Sequence, residues 1–247
     1  NGILYTRGCS PTFVQALPAN AYLAAGHRND FIMALILNID TSQEAAGLYL
    51  AEDEVVLMTA VNEKQSDHAR WIHTAIQQLM AGSGKILSEL DAIAVTAGPG
   101  SYTGLRVGMA TAKGLCYALG KPLITETSLK VMAAAAYQAT GFTDCVCPMI
   151  DARRMEVFTA IYGPDLTEML PPSPQIVPSD IFSEVLNEKK CLFLGTGLHK
   201  WRSVCGLKNA YFYESSLDLS ILTSLTYQKF LNGAFTDLRS EEHTSEL

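Results

Sequence analysis

A diverged internal repeat organises this sequence into two similar halves. In each half an apolar run ends at an aspartate, a short turn follows, and a second apolar run comes next; the aspartates are Asp40 and Asp151. An aspartate at this position favours a hairpin-like turn, because its side chain hydrogen-bonds nearby backbone groups. Helical periodicity and a further strand follow each hairpin. The repeat predicts an α/β molecule of two lobes, residues 33–140 and 141–238, joined at Gly141 after a helix at 128–139.

A glycine-rich stretch, Thr96–Arg106, connects a predicted strand at 92–95 to a predicted helix at 107–119. Glycines let the backbone approach a neighbouring group closely, and the start of a helix exposes unpaired N–H groups. A turn of this kind serves some phosphate sites, but it also occurs as a tightly packed turn without a ligand. The glycine spacing alone leaves both interpretations open.

The full string at residues 98–115, GPGSYTGLRVGMATAKGL, is similar to the signature of the bacterial TsaB family. Three further segments resemble that family and follow its order: Leu35–Ser42, Ile150–Val157 and Leu192–Gly197. The resemblance covers about residues 33–238. It implies a fold of two actin-like, ribonuclease H-like lobes, each a mixed sheet flanked by helices.

The resemblance also implies a function. Members of this family are non-catalytic subunits of the complex that makes threonylcarbamoyladenosine in tRNA. Such a subunit would bind and activate TsaD, which transfers threonylcarbamoyl to the adenosine 3′ of the anticodon. A TsaE-type ATPase would be a further partner, tRNA would be bound only through the complex, and a homodimer is the alternative assembly. No catalytic residue and no cofactor are expected in this chain.

An active ATPase or small-molecule kinase of the same superfold is the alternative function. It would use Asp40, Thr41 and Asp151 near phosphate, and Gly195 and Gly197 near adenosine. Against it, the second turn carries two arginines after Ala152, where a phosphate loop needs small or hydroxyl residues. The glycine loop at 195–197 is also short for a nucleotide site. Each aspartate has a simpler interpretation as a residue that ends a strand through side-chain–backbone hydrogen bonds.

Metal binding and nucleophilic catalysis have weak support in the sequence. The resemblance to TsaD suggests two histidines four apart on one helix, but His68 and His73 are five apart, which places them ~140° apart around a helix. We therefore predict no metal site. Ser42 and Ser101 have no spaced histidine and acid that would form a triad, so both are interpreted as turn or cap residues.

The helix after Gly104 is apolar around most of its circumference, which indicates burial on two sides. One side would pack on the lobe's own sheet, and the other on a partner or on the helix that begins at Ser66 or Asp67 and runs through Met80. Because the resemblance implies a helical-bundle interface, we predict a partner contact with Trp71 and Met109 as apolar anchors. The predicted partner-binding residues are His68, Trp71, Gly104, Arg106, Gly108, Met109 and Ala112.

The overall charge argues against autonomous tRNA binding, since the chain has a net charge of −7. Its adjacent arginines Arg153 and Arg154 are expected to be solvated or salt-bridged. Cys145 and Cys147 lie two apart in an apolar run, which favours buried unpaired thiols and a cytoplasmic protein. No apolar run approaches the ~20 residues of a membrane helix.

The two ends differ from the rest of the chain. Residues 1–32 are expected to be a non-native leader, with Met33 as the native start, and residues 239–247 a non-native tail. Between the ends, further helices are predicted at 179–187 and 217–232. The proline-rich segment Pro171–Pro174 is predicted to be a surface connector.

Overall fold

The first of two sheets has five strands. The structure is a computed structural model that describes residues 33–63, 67–178, 180–206 and 208–239. Strands β1, β2 and β3 form an antiparallel meander, while β4 and β5 run parallel to β1, in the order β3-β2-β1-β4-β5. The strands are β1 (Leu35–Asp40), β2 (Ala46–Glu52), β3 (Val55–Asn62), β4 (Ala92–Thr96) and β5 (Leu123–Glu126). The central strands β1 and β4 are buried on both faces, as their mostly apolar sequences favour.

The second sheet repeats this topology in the order β10-β9-β6-β7-β8. Its strands are β6 (Cys145–Asp151), β7 (Glu156–Tyr162), β8 (Glu168–Ile176), β9 (Cys191–Leu194) and β10 (Ala210–Tyr213). The predicted class of two mixed sheets flanked by helices is confirmed. The predicted connector Pro171–Pro174 is wrong, because it lies inside β8. An edge strand tolerates proline, since one side of its backbone makes no ladder hydrogen bonds.

Six α-helices complete the described ranges, and none of them is long and apolar enough to cross a membrane. They are α1 (His68–Ser83), α2 (Tyr102–Leu119), α3 (Ser128–Thr140), α4 (Asp180–Glu188), α5 (Leu198–Arg202) and α6 (Leu222–Leu231). Helix α2 begins five residues before the predicted start, because the Ser101 side chain caps it by accepting from the Gly104 N–H. The predicted starts Ser66 and Ser179, the leader 1–32 and residues 240–247 of the tail lie outside the described residues.

The last helix of each half covers the sheet of the other half. Helices α1 and α2 pack on one face of the first sheet, and Tyr227 and Phe230 of α6 pack on its other face. Helix α3 packs with its Leu129 and Met132 on the second sheet, whose opposite face is covered by α4 and α5. The described residues from Met33 onward belong to one compact unit, so the division at residue 140 stays a prediction.

The cysteines of the described ranges carry free thiols. Four are buried, namely Cys116, Cys145, Cys147 and Cys191, and Cys205 is half-buried. Burial raises the pKa of Cys116 to about 11. Its thiol therefore stays protonated and unreactive at neutral pH.

Candidate functional site

The first hairpin turn is closed by hydrogen bonds within the chain. Asp40 ends β1 and is only 2% exposed. Its Oδ1 accepts from the Ser42 N–H at 2.9 Å, from the Ser42 hydroxyl at 2.7 Å and from the Thr96 hydroxyl at 2.8 Å. Burial and the nearby Asp40 charge raise the pKa of the Tyr49 phenol. The carboxylate therefore acts as the anchor of its own turn.

Three glycines of the motif at residues 98–115 pack against this turn. A Cβ on Gly100 would overlap the carbonyl oxygen of Ser42, and one on Gly104 would overlap that of Thr41. A Cβ on Gly108 would collide with the Thr41 hydroxyl. The Ser101 N–H also donates to the Ser42 carbonyl at 2.7 Å. These contacts favour the interpretation of the motif as a tightly packed turn. The three glycines are spaced so that Thr41 and Ser42 can lie directly against them.

A buried lysine holds the second hairpin turn. Lys200 of α5 has a side chain that is 9% exposed, and its ammonium donates to Asp151 Oδ1 and to the Glu156 carbonyl, each at 2.9 Å. It also donates to the carbonyl of Ala152. His199 Nε2 lies 3.4 Å from the other carboxylate oxygen of Asp151. The second aspartate is thus neutralised by a cation that belongs to the chain itself.

The glycine loop after β9 is likewise used for packing. Gly195 has a φ of 98°, and a Cβ there would overlap the Met149 carbonyl. A Cβ on Gly197 would lie 2.8 Å from Val157. Beside this loop lies a pocket of about 680 Å³, whose polar lining includes Gln43, Thr196, His199, Arg202, Glu214, Ser215 and Ser216. Two of these lining residues, Arg202 and Glu214, form an ion pair.

Of the residues of the alternative nucleotide site, Gly195 lines this pocket, but Asp40, Thr41 and Asp151 do not. Asp40 is occupied by its own turn, and the Thr41 hydroxyl is buried against α2 without a hydrogen-bond partner in the described structure. Asp151 is taken by Lys200. Across the described residues, no group of three His, Cys, Asp or Glu side chains is arranged to hold a metal ion. His68 is buried against Asn62 and the Glu44 carbonyl, whereas His73 is exposed.

The predicted partner-binding residues do not share one surface. Five are buried inside the chain: His68, Gly104, Gly108, Met109 and Ala112. Gly104 and Gly108 face the Thr41 turn, while Met109 and Ala112 belong to the core beneath α2. Trp71 is half-buried, and Arg106 is exposed with its guanidinium stacked 4.0 Å from the Tyr102 ring. A partner contact by these residues stays a prediction, while within the chain Gly104 and Gly108 pack against the chain's own Thr41 turn.

A different set of α2 residues reaches solvent. Ala110, Gly114 and Ala118 repeat at intervals of four, and beside them Tyr117 is 86% exposed. A groove of about 370 Å³ runs along this side and is lined by Arg106, Met109, Ala110 and Lys113. Helix α1 packs beside α2. It presents Arg70, His73, Thr74 and Gln77. We call these exposed side chains the outer face of α1 and α2.

The outer face differs in charge from the rest of the molecule. Neither helix contains an aspartate or a glutamate, although the chain has a net charge of −7. Arg70, Arg106 and Lys113 give the face a positive charge. The small residues beside these cations would let another helix approach closely. Ala110 and Gly114 have the same spacing of four as the buried Gly104 and Gly108, so spacing in the sequence does not distinguish the exposed pair from the buried one.

Comparisons with known proteins agree on one group of relatives. Residues 60–171 match the family model of TsaD, described as tRNA N6-adenosine threonylcarbamoyltransferase. The chain is 34% identical over 171 residues to the tRNA threonylcarbamoyladenosine biosynthesis protein TsaB of Bacillus subtilis, covering 67% of this chain and 73% of that protein. It is 36% identical over 130 residues to the TsaB protein of Escherichia coli, covering 53% of this chain and 55% of that protein.

Solved structures extend the similarity to the whole fold. YeaZ from Pseudomonas aeruginosa superposes with a TM-score of 0.70 at 25% identity, over 84% of this chain and 97% of that chain. A crystal structure of an uncharacterized protein with similarity to peptidase YeaZ, from the same organism, gives a TM-score of 0.73 at the same identity and coverage. The predicted actin-like class is confirmed by these matches and by the repeated sheet topology.

Proposed function

Because the chain belongs to the TsaB family, we propose that it serves the formation of threonylcarbamoyladenosine in tRNA as a subunit without a catalytic site of its own. In this proposal it binds a TsaD-type catalytic subunit and holds that subunit in an active arrangement. A TsaE-type ATPase and the tRNA join through the resulting complex. The observation that carries the proposal is the acid-free outer face of α1 and α2, which suits a helical, acidic partner surface.

Packing supports this choice of surface. Apart from its chain neighbours and the backbone of its own helix, nothing in the described structure lies within 4 Å of where a Gly114 Cβ would stand, so the groove beside it is open to another helix. Tyr117 is large, aromatic and exposed, as residues that dominate binding energy tend to be before a partner covers them. The rest of α2 is fixed from beneath by the Thr41 turn. The partner would therefore meet a preformed surface, which lowers the entropic cost of association.

The charge of the outer face favours a different partner over a second copy. In a twofold dimer the same patch faces itself, so cations such as Arg70 and Arg106 would meet like charges. A partner surface with exposed carboxylates would instead be attracted, and its association would weaken at high salt. We therefore propose the heterodimer as the working assembly and the homodimer as the weaker one.

Substitution of Gly114 by glutamate tests the proposed interface. The change adds bulk and a negative charge to the groove, and we expect the dissociation constant for the TsaD-type subunit to rise about a hundredfold, which is about 2.7 kcal/mol. Gly114→Lys should weaken binding less, because its charge matches the face. Titration calorimetry with the catalytic subunit of the same organism measures both. The fold should persist, since glutamate is a better helix former than glycine.

The matched control for this test is Ala139→Glu, which places the same charge on the exposed end of α3. It should leave the affinity for the catalytic subunit unchanged. Wild-type affinity in a Gly114→Glu variant with an unaltered circular dichroism spectrum would move the interface away from α2. Loss of binding in both variants would point to the charge change itself rather than to its position.

One observation favours the alternative of a nucleotide-binding protein, namely the pocket beside Gly195 with its mixed apolar and polar lining. Against it, Asp40 already accepts hydrogen bonds from its own turn, and Asp151 is paired with Lys200. We expect the isolated chain to show no micromolar affinity for ATP by calorimetry, with or without magnesium. Micromolar affinity that disappears in a folded Arg202→Ala variant would assign nucleotide binding to this pocket. A hydrolysis assay on the same preparation would then separate an ATPase from a binding protein.

A further inference from the structure

The turn between β6 and β7 carries two exposed arginines, Arg153 and Arg154. Among the described residues, no carboxylate lies within ion-pair distance of either guanidinium. Of the two states expected for this pair, solvated or salt-bridged, the described part of the chain shows the exposed, solvated one. Two adjacent cations without a carboxylate partner stand out on a chain whose net charge is −7.

One carboxylate close in sequence to these arginines, Asp151, is already occupied. Asp151 lies two residues before Arg153, but Lys200 Nζ binds its Oδ1 at 2.9 Å and His199 lies 3.4 Å from its Oδ2. A carboxylate satisfied in this way attracts neighbouring guanidinium groups less. The lysine therefore leaves the positive charge of the turn available to an external anion.

The turn is also fixed in position. Lys200 donates to the backbone carbonyls of Ala152 and Glu156, which precede and follow the two arginines in the turn. The Ala152 N–H donates to the Glu156 carbonyl at 3.1 Å, and the Asp151 N–H donates to the Thr196 hydroxyl at 3.0 Å. Arginines on a fixed backbone lose less entropy on binding than arginines on a mobile loop.

The backbone at Arg154 is held in a conformation that disfavours an arginine. Its φ is 62°, in the left-handed region that glycine and asparagine adopt more readily. An arginine there costs of order 1 kcal/mol relative to an unstrained position. Strained residues of this kind concentrate at binding sites.

We propose that the Arg153–Arg154 turn contacts backbone phosphates of tRNA when the chain is assembled with its catalytic subunit. This inference rests on the proposed function, and it concerns a surface separate from the outer face of α1 and α2. Guanidinium groups bind phosphate oxygens through paired hydrogen bonds. Two such contacts are too few to hold tRNA on an acidic chain, so the isolated chain binds tRNA weakly and the turn acts only within the complex.

The test compares tRNA binding by complexes that contain the wild-type chain or an Arg153→Gln/Arg154→Asn double variant. Asparagine tolerates the left-handed backbone at position 154, so the turn keeps its shape. Fluorescence anisotropy of a labelled, unmodified tRNA transcript is measured from about 50 to 200 mM KCl. We expect affinity to fall about tenfold and the log–log salt slope to decrease by about 1.4 to 1.8, as for the loss of two phosphate contacts.

Lys189 and Lys190 supply the matched control, because they form a second adjacent pair of exposed cations. They precede β9, which is parallel to β6, and so lie at the opposite end of the sheet from the arginines. A Lys189→Gln/Lys190→Gln variant removes the same charge and should leave the salt slope unchanged. An Arg153→Lys/Arg154→Lys variant should keep most of the slope, because it keeps both charges.

The possible outcomes separate this inference from the proposed function. Gel filtration shows whether each variant still assembles with the catalytic subunit. Normal assembly with an unchanged slope, or an equal loss in the lysine control, overturns the phosphate contact. Loss of assembly in the arginine variant alone also overturns it and assigns the turn to a protein partner. Failure of the wild-type chain to assemble refutes the proposed function, and the inference falls with it.

Discussion

Replacing Gly104 with alanine is expected to destabilise the protein by about 3 kcal/mol or more. The added Cβ would overlap the backbone carbonyl oxygen of Thr41, and neither backbone can move alone. Helix α2 is held by its packing on the first sheet, and the Thr41 turn is held by Asp40. Urea unfolding followed by circular dichroism measures the change in the free energy of unfolding.

The same helix offers a control of opposite sign. Gly114→Ala adds the same methyl group at an exposed position where the new Cβ would meet nothing within 4 Å beyond its chain neighbours and its own helix backbone. Alanine is a better helix former than glycine, so this variant should gain about 0.5–1 kcal/mol. Equal effects of the two substitutions would show that helix propensity decides, and that the glycine motif does not pack on the Thr41 turn.

The architecture was predictable because its determinants are local in sequence. An apolar strand, an aspartate and a turn recur at Asp40 and Asp151, and each pattern requires only neighbouring residues. The helix ends at Gly120 and Gly141 were predictable for the same reason, since both residues adopt the left-handed conformation of a C-cap. Local signals of this kind do not state which sheet a helix will cover. The exchange of α3 and α6 between the halves therefore escaped prediction.

The orientation of α2 shows why the candidate site was harder to predict than the fold. Two rows of small residues run along this helix, one from Gly104 to Ala112 and one from Ala110 to Ala118. Both have a spacing of four, and they lie about 120° apart around the helix. Periodicity cannot tell which row faces inward. The row from Gly104 to Ala112 faces inward because the backbone of the Thr41 turn packs against it, and this turn lies 63 residues before Gly104 in the chain (104 minus 41).

The contact between Lys200 and Asp151 had no signal in the sequence at all. The two residues are 49 positions apart, and a lysine in a short polar helix is ordinarily exposed. Its burial follows from the loop at Gly195–Gly197, which brings α5 against the end of β6. Tertiary packing of this kind makes Asp151, a candidate phosphate-site residue in the sequence, one half of an ion pair.

Replacing Lys200 with methionine is the second change expected to have a large effect. Methionine matches the lysine stem in length, but it leaves Asp151 and the carbonyls of Ala152 and Glu156 without their donor. Removing one partner of a buried pair costs about 3–5 kcal/mol, and water at the partly exposed Asp151 places this case at the lower end. The free energy of unfolding from urea titrations should fall by about 3 kcal/mol.

Two further variants distinguish the loss of the pair from the loss of any lysine. Lys85→Met breaks a pair with Glu52, at 2.7 Å, in which the lysine is more exposed than Lys200, and should cost no more than about 1 kcal/mol. Adding Asp151→Asn to Lys200→Met removes the uncompensated carboxylate and should recover part of the lost stability. If Lys200→Met is no more damaging than Lys85→Met, water satisfies the turn without the lysine. The arginine turn would then owe its shape to its own hydrogen bonds, and Asp151 would be free to bind Arg153 or Arg154.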